Sequence, residues 1–312
     1  MLKVHYPVLH DEVKKCFSGS KVNYFVDGTL GAGGHARSIL ENVMTKDGVY
    51  FGFDQDSDSI NIAKENLKDV SGNVVFIHNN FCNLKKELKK HSVVSVGGVL
   101  FDLGMSSMQL DSKTRGFAFR FEAPLDMRMD LRNSLTAYDV VNGYDEKELF
   151  RVFKEYSDLK HIRSYIRRII NGRKNSSISS TKELADMFKG MGRRKPGRVS
   201  INPATEVFQA IRIEVNDELV SLRKGLVDAF DILDADGVMV VISFHSLEDR
   251  IVKRFFKEKT VSCRCHEDLF VCACEGKPLA ESLSTKPVMA KEKELNENSR
   301  SRSAKLRAIK KI

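Results

Sequence analysis

The sequence predicts an α/β fold: a doubly wound, mostly parallel, Rossmann-like sheet carrying an inserted all-helical domain. Three observations predict it. From Asn23 to Leu103, short β-branched or aromatic runs alternate with helical stretches, the pattern of successive βαβ units. A glycine-rich turn, Asp27-Gly-Thr-Leu-Gly31-Ala-Gly33-Gly34-His35, sits between the first strand and the first helix. The α/β pattern stops after Gln109, gives way to helical spacing alone, and resumes near Leu219.

Taken in order, the strands fall at Tyr24 to Asp27, Val49 to Asp54, Val74 to His78 and Val96 to Leu103. Helices fall between them near His35 to Glu41, Ser57 to Leu67 and Leu84 to Lys90, the spacing of crossover connections. Beyond Gln109, Leu149, Phe150, Val152, Phe153 and Tyr156 recur at helical period, as do Ile162, Tyr165, Ile166, Ile169 and Ile170. Ser180 with Glu183 is a capping-box signature, and Gly190 is placed to end that helix. A helix over Leu219 to Leu233, a strand over Val238 to Ser243 and a helix over Leu247 to Phe256 complete the alternation. The division reads as 1–109 with 203–312 for the α/β domain and 110–202 for the insertion. The end from Arg300 carries six basic side chains and no acid, and reads as a flexible arm.

Charge points to a partner. Of the net +9, residues 151–200 alone carry +10, with fourteen Lys or Arg against four Asp or Glu, and the rest of the chain carries −1. An excess confined to one segment suits a polyanion, although any charge run can be a solvated helix face. Arg163, Arg167 and Arg168 lie off the apolar stripe of their helix, free to meet phosphate. No apolar run long enough to span a bilayer or anchor beside these charges is present, which puts nucleic acid ahead of membrane lipid and predicts a cytoplasmic protein. Six cysteines, four of them crowded between Cys263 and Cys274, do not form a distributed disulfide framework and fit a reducing compartment.

The glycine turn lets a ligand approach the backbone at a helix start. Asp54, at the end of the second strand, is placed to accept both hydroxyls of an adenosine ribose. NAD and S-adenosylmethionine both suit that arrangement. The spacing Gly31, Gly33, Gly34 followed by His35, Ala36 and Arg37 leaves the dinucleotide fingerprint G-x-G-x-x-G incomplete, so the methyl donor leads. After the third strand come Asn79, Asn80 and Phe81, whose ring suits adenine and equally suits ordinary core. The fourth strand brings Asp102 to the carboxyl edge of the sheet, where open α/β enzymes place their chemistry.

Long motifs now make a resemblance specific. Val26-Asp-Gly-Thr-Leu-Gly-Ala-Gly-Gly-His35, Asp102-Leu-Gly-Met-Ser-Ser-Met-Gln-Leu-Asp111, Arg115-Gly-Phe, Pro124-Leu-Asp-Met-Arg-Met-Asp130, Asn202-Pro-Ala-Thr, Phe208 to Leu219 and Ile242 to Lys253 run nearly the length of the chain. It resembles the bacterial 16S ribosomal RNA cytosine-N4 methyltransferase family. That resemblance implies an S-adenosylmethionine-dependent enzyme that methylates the exocyclic amine of a decoding-site cytidine in 16S rRNA of the small ribosomal subunit. It implies donor binding by Gly33, Gly34, His35, Asp54, Phe81, Asp102 and Gln109. The chain departs from the family at Met108, where Pro is usual, at Tyr156-Ser-Asp-Leu, and at Ala235-Asp-Gly.

The amine of cytosine is a poor nucleophile because its lone pair is delocalised into the ring, so an acceptor beside it favours attack. Asp102 is the catalytic candidate, its alternative being donor binding alone. Pro124 to Asp130 and Ser243 to Asp249 are pocket candidates for the displaced base, with Asp126, Arg128 and His245 as contacts. Ser243, His245 and Asp249 are poor triad material without a G-x-S-x-G elbow, and Ser246 suits a helix cap. A noncatalytic RNA-binding or assembly factor is the competing class, disfavoured by the combination of donor loop and strand-four acid. Cys263, Cys265, Cys272 and Cys274 form two C-x-C pairs, a loose zinc signal.

Overall fold

The computed structural model describes residues 7–191, 202–262 and 276–312. The chain divides into two compact units, one of Met1–Gly104 with Val220–Ile312 and one of Met105–Leu219. In chain order the first unit opens with α1 (His10–Cys16), β1 (Val22–Asp27), α2 (Gly34–Asn42), β2 (Met44–Asp54), α3 (Ser57–Leu67), β3 (Asn73–His78), α4 (Leu84–Lys90) and β4 (Val96–Asp102). Next come the helices α5 (Ser107–Asp111), α6 (Ala137–Gly143), α7 (Glu146–Tyr156), α8 (Ile162–Gly172), α9 (Thr181–Asp186) and α10 (Pro203–Asn216). The chain closes with α11 (Glu218–Ile232), β5 (Leu233–Ser243), α12 (Ser246–Thr260), β6 (Ala280–Ser282), α13 (Glu292–Glu297) and β7 (Lys305–Lys311).

The sheet has the order β3-β2-β1-β4-β5-β7-β6, with β1 to β5 parallel and β7 antiparallel to both its neighbours. Parallel strands must be buried on both faces, which explains runs such as Val99-Leu-Phe101 and Val238-Met-Val-Val-Ile242, all buried. One face packs Phe51, Phe53, Phe101 and Met239 against Leu222, Leu226 and Phe230 of α11; the other packs Phe25, Tyr50 and Leu100 against Val13 and Ile39.

β2 and β5 each start earlier than their alternation predicts. Met44 and Leu233 bridge to Val22 and Val96, four residues are then looped out, and regular pairing resumes at Val49 and Val238. Asp236, in the second of these loops, holds a positive φ of 63° and pairs with Lys310 at 2.6 Å.

The basic carboxyl end is not a flexible arm. Leu306, Ala308 and Ile309 are buried, so β7 inserts between β5 and β6. Its charges are consumed locally: Lys305 and Arg307 reach Asp249 at 3.1 and 2.8 Å, and Lys311 donates to the carbonyls of Phe230, Asp231 and Leu233. The α12 cap is His245 rather than Ser246. Its Nδ1 accepts from the Glu248 amide at 3.4 Å, and a Glu248 carboxylate oxygen accepts from the amide of His245.

The second unit has its own core, with Leu149, Val152 and Phe153 of α7, Ile166 and Ile169 of α8, and Val207, Ala210 and Ile211 of α10. Division by sequence at residues 202 and 203 separates α10 from these helices. In the structure it belongs with them, because its apolar stripe packs on α7 and α6. Asn216 at its end is buried and holds the Met127 carbonyl and Met129 amide at 2.7 and 2.6 Å, fixing the loop in which Met127 has a φ of 59°.

Asp249 sits low in the carboxylate range: burial opposes ionisation, and the bonds from Arg307 and Lys305 outweigh it. A depressed carboxyl stabilises the fold above its unfolded pKa and loses that contribution as pH falls. Asp249→Ala is therefore expected to cost about 2 kcal/mol at neutral pH in urea unfolding, with the deficit shrinking as pH drops below about 4.

Candidate active site

The carboxyl ends of β1, β2 and β4 are tied together by one short loop. Asp27, at 1% exposure, ends β1 and accepts bonds from the Tyr50 hydroxyl at 2.6 Å, the Thr29 amide at 3.0 Å and the Thr29 hydroxyl at 3.5 Å. Burial pushes the Asp27 carboxyl up, and the Tyr50 and Thr29 bonds resist that rise. The Gly28 amide reaches Leu100 on β4, and the Leu30 amide reaches Phe53 on β2. Gly31 and Gly33 then take φ values of +53° and +82°, a region that side chains resist, and Gly33 caps α2. Gly33 lacks a side chain to cap with, so the first-turn amides of Gly34, His35 and Ala36 have no partner within the helix.

Two acids face this loop. Asp54 accepts the Gly31 amide on Oδ2 and the Asp56 amide on Oδ1, both at 2.8 Å, leaving each oxygen a further lone pair. Burial pushes its carboxyl up to about 7, against the pull of those two amides. Asp102 is held by its own backbone: its amide donates to the Thr29 hydroxyl at 2.6 Å. Its Oδ1 is buried without a hydrogen bond among the described residues, and so is His35 Nε2, which lies 3.6 Å from Asp102 Oδ2. The His35 ring stacks on His10, with centroids 6.2 Å apart and planes 16° from parallel.

Phe81 packs within the core of this unit. Its ring lies 4.8 Å from that of Phe101, and a Cβ at Gly225 would fall 2.5 Å from it. The amides of Asn79 and Asn80 are spent on Glu87 and Gln55, and Asn80 also accepts from Cys82. The loop of Gly33, Gly34 and His35 is thus brought together with Asp54 and Asp102, with Phe81 at the same edge. His245 Nε2, in the same unit, is 3.1 Å from Glu248 Oε1.

In the second unit Gln109 is buried and closes a capping box by accepting the Ser106 amide at 3.1 Å. Asp126 and Arg128 pair with each other, through bonds of 2.7 and 2.9 Å, and Arg128 also donates to the carbonyls of Leu131 and Asn133. Arg168 donates to the Met187 carbonyl at 2.5 Å. Arg163 and Arg167 are exposed and line a concavity of about 660 Å³ with Phe150, Leu159, His161, Ile162 and Ser164. Arg163 lies 5.8 Å from the Phe150 ring centre, and neither arginine pairs with a carboxylate among the described residues. Arg193, Arg194, Lys195 and Arg198 of the basic window lie outside the described residues, as do Cys263, Cys265, Cys272 and Cys274.

Sequence reasoning does not single out Asp27, Thr29 or Tyr50. The one available signal is the strand-ending acid two residues before a Thr, an Asx-turn pattern.

The sheet order, the glycine turn after β1 and the acids ending β2 and β4 fit the class to which the chain belongs, the Rossmann-like S-adenosylmethionine-dependent methyltransferases. More narrowly, the chain belongs to the MraW methylase family, whose model matches residues 3–312. It is 42% identical over 308 residues to the ribosomal RNA small subunit methyltransferase H of Clostridioides difficile (strain 630), covering 99% of each chain. It is 44% identical over 310 residues to the protein of that name from Syntrophotalea carbinolica, covering 99% of this chain and 98% of the relative. No helix among the described residues is long and apolar enough to cross a membrane.

A Cβ at Gly28 would lie 2.3 Å from the Phe101 ring and 3.0 Å from Phe81. Gly28→Ala is expected to lose about 1–3 kcal/mol through overpacking, read as a lowered urea midpoint with an unchanged slope.

Proposed function

We propose that this methyltransferase acts on the N4 exocyclic amine of a cytidine in the decoding region of 16S rRNA, within the small ribosomal subunit and in the cytoplasm. The observation that carries the catalytic half is Asp102 Oδ1 at the sheet edge beside the glycine loop, buried without a hydrogen bond among the described residues. The relatives that match end to end carry the name ribosomal RNA small subunit methyltransferase H, and that supports the substrate half.

The residues fit the donor. The first-turn amides of Gly34 and His35, which have no acceptor within their helix, the two spare lone pairs of Asp54, and His35 Nε2, without a hydrogen bond among the described residues, are the polar groups an adenosyl amino acid asks for. Gln109 is assigned to the same ligand on the resemblance alone, since its Oε1 already accepts the Ser106 amide. When bound, S-adenosylmethionine supplies an electrophilic sulfonium methyl. Asp102 accepts a hydrogen bond from the N4 amine, which concentrates the lone pair on nitrogen and stabilises the positive charge that develops there. Asp54 holds the ribose hydroxyls, and Phe81 offers a ring edge to the adenine while staying packed on Phe101.

The Met105–Leu219 unit is assigned to rRNA, with Arg163 and Arg167 as phosphate contacts because no carboxylate competes for them among the described residues. Arg168 is a weaker candidate, since the Met187 carbonyl holds it, and Asp126 with Arg128 serves the loop it staples. His245 is held the same way by Glu248.

Mapping methylcytidine by mass spectrometry in small-subunit RNA, made with and without this protein, tests the whole reading. The modified cytidine should appear only with the protein, and its presence in both samples overturns the assignment.

Donor affinity should depend on pH. Ribose hydroxyls donate to the ionised Asp54, so binding lowers a carboxyl that stands at about 7 in the free protein. Affinity for S-adenosylmethionine is expected to rise between about pH 6 and 8 with proton release on binding, both effects vanishing in Asp54→Ala, whose affinity falls tenfold or more. Calorimetry in buffers of different ionisation enthalpy reads both.

Arg163→Glu with Arg167→Glu should weaken RNA binding at least about tenfold and flatten its salt dependence, with donor affinity unchanged. Filter binding across a salt series, alongside calorimetry, checks both arms.

A further inference from the structure

We infer that Thr29 is a positioning residue for methyl transfer: its hydroxyl, anchored from below by the Asp27–Tyr50 pair, sets the place of Asp102. This rests on the catalytic reading of Asp102 given above. Thr29 Oγ1 is the acceptor for the Asp102 backbone amide at 2.6 Å, a bond between residues 73 apart in the chain. The same hydroxyl turns its proton toward Asp27 Oδ1 at 3.5 Å, and the Thr29 amide donates to that oxygen at 3.0 Å. The other Asp27 oxygen is filled by Tyr50 at 2.6 Å.

The result is a chain from the β2 interior to the reacting edge: Tyr50 hydroxyl, Asp27 carboxyl, Thr29 hydroxyl, Asp102 amide. Every member has one assigned direction. Tyr50 donates, Asp27 accepts, and Thr29 is tied to Asp27 chiefly through its amide at 3.0 Å, which leaves its hydroxyl oxygen facing the Asp102 amide with the hydroxyl proton on the Asp27 side, a long 3.5 Å contact. Asp102 needs such a tether because its side chain has no other. Oδ1 is buried without a bond among the described residues, and the contact of Oδ2 with His35 Nε2, at 3.6 Å, is too long for a hydrogen bond. The orientation of the carboxylate is set through its backbone, which β5 holds on one side, where Asp102 pairs with Ile242 and the Leu103 amide donates to the Ile242 carbonyl at 2.9 Å, and which Thr29 holds on the side of β1. The Asp102 amide would otherwise be a strand-terminal donor with no fixed acceptor. Misplacing a reacting group by about 1 Å is enough to cost orders of magnitude in rate while leaving ligand affinity nearly intact.

The test uses the full chain, small ribosomal subunits lacking the modification, single-turnover rates at saturating S-adenosylmethionine, and donor affinity by calorimetry. Thr29→Val removes the hydroxyl at constant size. Its rate should fall about tenfold or more with donor Kd within about threefold of the original. Thr29→Ser keeps the hydroxyl and should restore most of the rate. Tyr50→Phe removes only the anchor beneath Asp27, keeps the ring packing on Phe25, and should slow the reaction by a smaller factor.

The decisive measurement is the double variant: Thr29→Val should add nothing to Asp102→Asn, because Thr29 acts through that carboxylate. A Thr29→Val rate within about threefold of the original, or an equal loss in both backgrounds, overturns the inference. If Thr29→Val does not fold, Tyr50→Phe decides, and an unchanged rate there overturns it. A near-normal rate in Asp102→Asn instead overturns the catalytic reading of Asp102 itself. Slow Asp102→Asn beside normal Thr29→Val leaves that reading standing and removes only Thr29.

Discussion

The hydrogen bond between the Tyr50 hydroxyl and the buried Asp27 carboxyl is the contact on which the candidate active edge of this enzyme depends. A carboxyl with 1% exposure is costly unless its oxygens are occupied, and here both are. Satisfying Asp27 from Thr29 turns the chain immediately after β1. That turn delivers the Leu30 amide to Phe53, the Gly31 amide to Asp54 and the Thr29 hydroxyl to Asp102. Three strand ends are thereby fixed by one short loop. Asp54 and Asp102, the two candidate site acids, share a single foundation.

Close packing beneath this loop explains its glycines better than flexibility does. Gly28 lies against Phe101, Gly225 of α11 lies against Phe81, and the two rings are 4.8 Å apart. A methyl group at either glycine would displace one of these rings. Gly31 and Gly33 answer a different demand, a left-handed backbone that turns the chain from β1 into α2. Toward the far edge of the sheet β7 lies between β5 and β6, its Lys305 and Arg307 paired with Asp249 and its Lys311 with carbonyls at the end of α11 and the start of β5.

In the helical unit, charge and availability differ. Arg128, Arg132 and Arg151 are each committed to a carboxylate, at Asp126, Asp130 and Glu214, and Arg173 donates to the carbonyls of Val141 and Tyr144. Arg128 and Arg173 brace loops through backbone carbonyls, and Arg151 ties α7 to Glu214 of α10. Arg163 and Arg167 are of another kind, exposed around a concavity, and it is this pair that makes the unit a candidate for phosphate. A count of basic residues cannot separate the two kinds.

What the sequence determined is whatever follows from period and from local backbone chemistry. α3 and α4 coincide with their predicted spans, the parallel strands match to within a residue or two apart from the looped starts of β2 and β5, and the Ser180–Glu183 capping box forms as its spacing demands. These are local properties: alternation places side chains on sheet faces, and a cap needs partners only three residues away. Tertiary structure decided the rest. Leu306, Ala308 and Ile309 make β7 a strand because β5 offers an edge, although its lysines and arginines read as a solvated arm. The amphipathic α10 carries no mark of which neighbours its stripe will meet. Asp102 is marked by its place at the end of a strand, but Asp27, Thr29 and Tyr50 are ordinary residues until folding brings strand ends together across separations of 23 and 73 residues, because a hydrogen bond depends on position in space and leaves no period in the chain.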